Sequence, residues 1–248
     1  MPVPAVMNSS TATGLYGKLP CAGDFVTRSL PTAFVAPWDD WLQRSLVASR
    51  AKLGSRWTDL YLESPLWRFA MQSQVCGTQA WAGVLMPSVD RAGRYFPLTL
   101  AAPIAPGAST LLTVTAAEHW FAELERLALW ALEPEATLDA VEAHLAQQPL
   151  VQVPASTNAC GDWDFALQLA KWWMKPGRPL VLHMAAQHSL PAVAEFAAAQ
   201  LMEGQTSGRS LWWMRNSEAG AISLRGWQGL PPPVEFAALL DGRQQVDG

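Results

Sequence analysis

Between Thr32 and Leu53 apolar residues recur at helical spacing. Phe34, Trp38, Trp41, Leu42 and Leu46 make one stripe, and Asp39, Asp40, Gln43 and Arg44 make the opposite, polar side. That period predicts an amphipathic helix. Ser29 or Thr32 can cap its start, and Gly54 is a natural stop. A short helical turn from Trp57 to Glu63 follows, ended near Pro65. The period then changes. In Leu66–Val75, Trp67, Phe69 and Met71 alternate with Arg68, Ala70 and Gln72, the two-residue repeat of a strand. Gln79–Ser88 and Arg94–Pro103 are two further strand candidates. The short links Cys76-Gly77-Thr78 and Asp90-Arg91-Ala92-Gly93 predict hairpins, and so an antiparallel meander. Pro87 and Pro97 each remove a ladder donor and belong at strand ends, edges or bulges. Upstream, Gly14–Pro31 is punctuated by Gly and Pro and reads as β, with Tyr16 and Lys18 facing one way and Leu15, Gly17 and Leu19 the other.

Past Pro103 the helical period returns. Thr113–Leu132 predicts a helix with Trp120, Leu124, Leu127 and Ala131 on one face. Leu138–Gln147 predicts a second, stopped by Pro149, and Asp162–Met174 a third, capped by Asp162. Pro179–Ala185 reads as a buried strand, and Leu190–Met202 as a helix that tolerates Pro191 in its first turn. SLWWMR and AISLRGW, joined around Glu218–Gly220, read as a hairpin before a last helix, Val234–Leu240. A meander followed by alternating strands and helices predicts an α/β sheet covered by helices on both faces. Residues 1–13 are small and polar without a period and read as a flexible tail. Residues 14–248 show no repeat and no long linker, and read as a single domain.

Composition narrows the function classes. Half of the 248 residues are hydrophobic and 15% are charged, below the usual ~25%, which argues against disorder over most of the chain. A net charge of -4 without a basic stripe argues against nucleic acid. Three cysteines, far apart and outside any CxxC, argue against a disulfide framework and suit a reducing compartment. The first residues lack the basic and apolar regions of a signal peptide, and no run reaches the ~20 apolar residues of a membrane span. The expectation is a cytoplasmic protein without membrane insertion. Thirteen tryptophans, several in pairs (Trp38 and Trp41, Trp172 and Trp173, Trp212 and Trp213), are either core residues or anchors of an interface. Their large apolar area favours the core.

Candidate chemistry is sparse. There is no GxSxG, no P-loop and no GxGxxG. His119, His144, His183 and His188 form no zinc spacing. Asp162 and Asp164 suit a helix start. Cys21 and Cys160 lack a basic or His neighbour that would make a thiolate. The expectation is a protein that is not an enzyme and holds no metal and no cofactor. The polar residues of the first half say more. Lys18, Asp24, Arg28, Arg68, Asp90, Arg91 and Arg94 all sit beside apolar stretches, and buried charges persist only when paired. They form either an ion-pair network tying the N-terminal segment to the meander, or a partner-binding rim of Asp24, Arg28, Asp90, Arg91 and Arg94. Such a rim would take an acidic or phosphorylated partner.

Four blocks, GLYGKLPCAGDFVTRSLP, WDDWLQ, SPLWRF and WAGVLMPSVDRAGRYFPLTL, resemble in order and spacing the TagF (ImpM) family of type VI secretion-associated proteins. The resemblance covers residues 14 to about 103 and continues through SLWWM and LPPPVEFAALL. It implies a three-layer α/β/α sandwich, here around a mixed sheet. It also implies a cytoplasmic, post-translational repressor of type VI secretion that acts by binding the forkhead-associated scaffold protein, apart from or against a Thr-kinase/phosphatase pathway. Some members are fused to a phosphatase; this sequence has no phosphatase metal motif and resembles the stand-alone form. No catalytic residues carry over. The rival expectations are a hydrolase or phosphatase-like enzyme using Asp24, Asp90 or the histidines, and a structural component of the secretion baseplate.

Overall fold

In a computed structural model of the chain, residues 12–106, 108–150, 168–171, 197–199, 201, 207–215 and 222–242 are described. The strands are β1 (Gly14–Gly17), β2 (Val26–Arg28), β3 (Trp67–Met71), β4 (Ala80–Met86), β5 (Leu98–Ile104), β6 (Arg209–Arg215) and β7 (Ile222–Gln228). They form one sheet in the order β2-β1-β5-β4-β3-β6-β7, and every pairing among the described residues is antiparallel. The meander β3–β4–β5 and the hairpin β6–β7 stand where the alternation predicts them. The expected strand Pro179–Ala185, on which a mixed sheet depends, lies outside the described residues. So do most of the helices expected over 162–174 and 190–202, although 168–171 and 197–199 are helical.

The helices are α1 (Thr32–Leu53), α2 (Trp57–Leu62), α3 (Thr110–Ala116), α4 (Glu118–Trp130), α5 (Leu138–Ala146) and α6 (Phe236–Asp241). Helix α1 has the predicted bounds and buries the predicted stripe. Its start differs: Pro31 is the N-cap and no side chain caps it, while Ser29 adopts a left-handed φ of 57°. Gly54 closes it with a φ of 55°, its N–H donating to the Arg50 carbonyl. The helix expected over Thr113–Leu132 is two helices. The Ser109 hydroxyl accepts from the Leu112 N–H and starts α3 early. The chain then breaks at Ala117 (φ -97°, ψ 16°), just past the β-branched run Thr113-Val114-Thr115, which favours helix poorly.

The sheet has a helical layer on each face. Tyr16, Trp67, Phe69, Met71, Trp81, Leu85 and Trp212 pack with α1, α2 and α6. Leu15, Leu19, Val84, Leu98, Leu100 and Ile104 pack with α4 and α5. Strands β3 and β5 are therefore buried at every position, and β4 at all but its first. The opposed faces of Leu15 and Tyr16 match the alternation. Seven tryptophans are buried. Trp38 is the centre of the first layer: its ring lies parallel to Trp212 (5.8 Å, 4°) and contacts Trp41 and Phe69, each at 4.9 Å between centroids. The core reading thus holds for these residues; Trp172 and Trp173 lie outside the described residues. Six of the seven buried indole N–H groups donate to protein oxygens, and that of Trp81 has no partner among the described residues. Trp38 donates to the Thr99 hydroxyl at 2.9 Å, joining α1 to β5.

Truncating Trp38 removes a ring that α1, β3 and β6 share. Trp38→Ala is expected to lower unfolding free energy by about 3–5 kcal/mol in urea titrations. Val47→Ala, at a site 70% exposed on the same helix, is expected to stay within about 0.5 kcal/mol of wild type. Equal effects from both would contradict the packing described.

Candidate functional site

The loop between β1 and β2 and the β4–β5 hairpin meet at one end of the sheet. Asp90, at the hairpin's start, is buried with its side chain fully enclosed. Its Oδ1 accepts the N–H groups of Ala92 and Arg94, each at 2.9 Å. Its Oδ2 accepts from Arg94 Nε at 2.6 Å and lies 3.0 Å from the Lys18 ammonium. Burial of the carboxyl raises its pKa. The Arg94 N–H, the Lys18 ammonium, the Arg94 guanidinium and the Ala92 N–H outweigh that effect and hold it well below the usual carboxylate range. Gly93, at φ 75°, permits the tight turn around the carboxylate. The Arg94 N–H is therefore unavailable to a ladder, and Pro97 has none. This is why β5 begins at Leu98 and not at Arg94, with only the isolated bridge Val89–Tyr95 before it.

The arginines reach across to the neighbouring loop. Arg91 donates to the Cys21 carbonyl at 3.0 Å, and its N–H to the Ala22 carbonyl at 3.0 Å. Arg94 donates to the Gly23 carbonyl at 2.7 Å. The Lys18 ammonium lies over the Phe25 ring, 4.9 Å from its centre, and Phe25 packs edge-on against Phe96 at 4.7 Å. Ser88 Oγ donates to the Lys18 carbonyl at 2.7 Å. The Tyr61 hydroxyl both donates to the Ser88 carbonyl (2.9 Å) and accepts its N–H (3.1 Å). Burial pushes the Tyr61 phenol above its ordinary pKa, so it keeps its proton for that bond.

Of the residues singled out from sequence, Lys18, Asp90, Arg91 and Arg94 come together here. Asp24 is exposed in the same loop, and its carboxylate accepts the adjacent Phe25 N–H. Arg28 belongs elsewhere: from the edge strand β2 it reaches Glu142 on α5 at 3.1 Å. Arg68 points into the other layer. It forms a bidentate pair with Glu125 (2.6 and 2.8 Å) and a bond to Glu118 (2.7 Å) on α4. Burial lowers its pKa, but the two glutamates outweigh that and raise it. The seven-residue spacing of Glu118 and Glu125 places both on one helix face. That is a signal in the sequence; the pairing of Tyr61 with Ser88, 27 residues apart, left none.

Asp90 and Asp24 accept from main-chain and cationic donors, and no bond joins either to a histidine among the described residues. His144 Nδ1 lies 2.7 Å from the Ala140 carbonyl on its own helix. Burial pushes the Cys76 thiol up to about 12, leaving it protonated at neutral pH. Among the described residues no group of three or more His, Cys, Asp or Glu is placed to hold a metal ion. No described helix is long and apolar enough to cross a membrane. Asp162, Asp164, His183, His188 and Cys160 lie outside the described residues.

Residues 14–148, which contain this whole assembly, match the model of the TagF N-terminal domain, type VI secretion system-associated. The chain belongs to the TagF family of type VI secretion-associated proteins. It is also similar to a protein of Pseudomonas aeruginosa PAO1, PA0076, known from a crystal structure: 38% identity, 96% of this chain and 97% of that one covered, and a TM-score of 0.74. No curated protein matches at a significant level. The TagF match extends past the sequence blocks to α5, so Arg28 and its partner Glu142 both fall inside the family domain.

The depressed Asp90 pKa fixes the sign of a pH effect. Its ionised form contributes full stability above the unfolded carboxylate pKa of about 3.9, and that contribution is lost as pH falls from there through the folded pKa. Asp90→Asn is expected to lower the urea midpoint at pH 5–7. The gap to wild type should narrow progressively as titrations move below about pH 4. A gap independent of pH would show that Asp90 acts by shape and not by charge.

Proposed function

We propose that the chain is a cytoplasmic, post-translational repressor of the type VI secretion system that acts by binding another protein, the forkhead-associated scaffold. We further propose that residues 14–248 work as one unit. The observation that carries this reading is TagF membership over a segment whose buried carboxylate is committed to holding structure while its arginines stay at the surface. The Arg94 side chain is 56% exposed although its Nε is bonded to Asp90, and Arg91 is exposed beside it. A guanidinium held in place from behind has lost less freedom to a partner than a free one, which favours recognition of an acidic or phosphorylated group. Asp24, exposed in the loop that Arg91 and Arg94 contact, extends the proposed rim, while Arg28, held by Glu142 at the β2 edge, would contribute only to a contact that also reaches that edge. The mechanism is sequestration: scaffold held by this chain is not free for assembly. A stable contact would bury roughly 1,200–2,000 Å² and depend on a few anchors.

Tagged protein is expected to co-purify with the scaffold from cells carrying an intact secretion cluster, and its overexpression to reduce secreted protein. Arg91→Ala is expected to raise the Kd about tenfold, as for an interface anchor, with an unchanged circular dichroism spectrum and melting point. Absence of scaffold binding at micromolar concentration, with secretion unaffected, would overturn the reading. Retention with the assembled machine instead of the soluble fraction would favour a baseplate component.

A further inference from the structure

Leu62 at the end of α2 and Leu129 near the end of α4, from helices packed on opposite faces of the sheet, both border a space beside Pro87 and Val89 that is not filled. It forms an open groove of about 310 Å³ lined mainly by Pro20, Leu62, Leu66, Pro87, Val89 and Leu129. Leu62 and Leu129 stand 55% and 56% exposed on opposite banks. A single exposed leucine is ordinary; two that converge with two prolines and a valine on one groove make a contiguous apolar surface. The groove lacks the convergent polar groups of a small-molecule site, so it suits apolar side chains of a peptide better than a polar ligand.

Its floor and one wall are rigid. Ser88 is held by Tyr61 through both main-chain groups and by the Lys18 carbonyl through its hydroxyl. Val89 adjoins Asp90, whose carboxylate is pinned from four sides. A partner would therefore meet a preformed surface and lose less free energy to ordering.

Exposed acidic residues adjoin the lining residues of both banks along the chain. Glu63 follows Leu62, and Glu133 and Glu135 follow Leu132, which lines the other bank. All three are exposed, and none has an ion pair among the described residues. Arg126, one turn before the end of α4, is already paired with Glu123. Arg91 marks the hairpin end, where it is bonded to the Cys21 carbonyl.

We propose that this groove docks an amphipathic helix of a partner protein, with leucine-like side chains on the face that enters the groove and Lys or Arg on its flanks. The proposal rests on the reading that the chain acts by binding another protein, and it names the surface and the chemistry of the segment bound.

The test uses the full chain and a fluorescein-labelled synthetic helix of Leu and Lys in an amphipathic pattern, with a Leu and Glu peptide of the same pattern for comparison. By anisotropy at physiological salt, the Leu/Lys peptide is expected to bind at least tenfold more tightly than the Leu/Glu peptide. Leu129→Asn and Leu62→Asn, both at exposed positions, are expected to raise its Kd tenfold or more. Val47→Asn, on exposed α1 surface, should leave it unchanged. Equal binding of both peptides, or no effect of either leucine variant, overturns the proposal. So does sedimentation showing a dimer of the chain that Leu129→Asn dissociates, because a second copy then fills the groove. Scaffold co-purification with wild type and with Leu129→Asn separates the two readings. Loss in the variant alone supports the groove. Equal retention of scaffold by both overturns the groove and leaves the regulatory reading standing. Failure of wild type overturns the regulatory reading, while the peptide measurements still decide the groove.

Discussion

Strands β3 and β5, and all but the first residue of β4, are buried along both faces, so a polar side chain they carry has to find its partner inside the protein or go without one, as the Trp81 indole N–H does. This constraint organises the rest. Arg68, buried near the start of β3, is kept by two glutamates from α4, and those bonds tie α4 to the sheet. Thr99 on β5 receives the Trp38 indole, and Trp67 on β3 sends its own to the Leu239 carbonyl of α6. The polar groups of the central strands thus register both helical layers on the sheet, while the aromatic area supplies most of the apolar burial.

Lys18 and Asp90 meet the same constraint at the end of the sheet. Neither residue can be removed singly without leaving the other charge enclosed. Because the surrounding bonds run to main-chain atoms of both loops, the network sets loop shape as well as loop position. The exposed faces of Arg91 and Arg94, and the wall of the groove at Val89, are consequences of that shape. Stability and surface are here made by the same few hydrogen bonds. The buried ion-pair network and the exposed arginine surface are therefore two sides of one assembly.

Much of the fold was legible along the chain. The stripe of α1 and the alternation of β1 and β3 are local repeats that burial on both faces only extends, and the short links between apolar runs marked β4 and β5. Where local reading missed, a distant or non-repeating contact prevailed. Ser109 and the β-branched run at Thr113-Val114-Thr115 split one expected helix into two. The Asp90 carboxylate took the Arg94 N–H and shortened β5. Of the candidate site, placement beside apolar stretches named Lys18, Asp90, Arg91 and Arg94 together with Asp24, Arg28 and Arg68, without saying which of the seven meet. Arg28 was separated from them because the β1–β2 turn carries it to the far edge, against α5. The groove was not legible at all: Pro20, Leu62, Val89 and Leu129 come from four segments and share no pattern.

By itself, the sequence determined element types, the meander, the aromatic core stripe and the family, because periodicity and motif spacing are properties of neighbouring residues. Only the tertiary structure decided which charge partners which, where β5 starts, and that two helix ends leave an apolar groove beside the Asp90 hairpin. Those outcomes depend on distances between residues tens of positions apart, and such distances are set when the two helical layers close on the sheet.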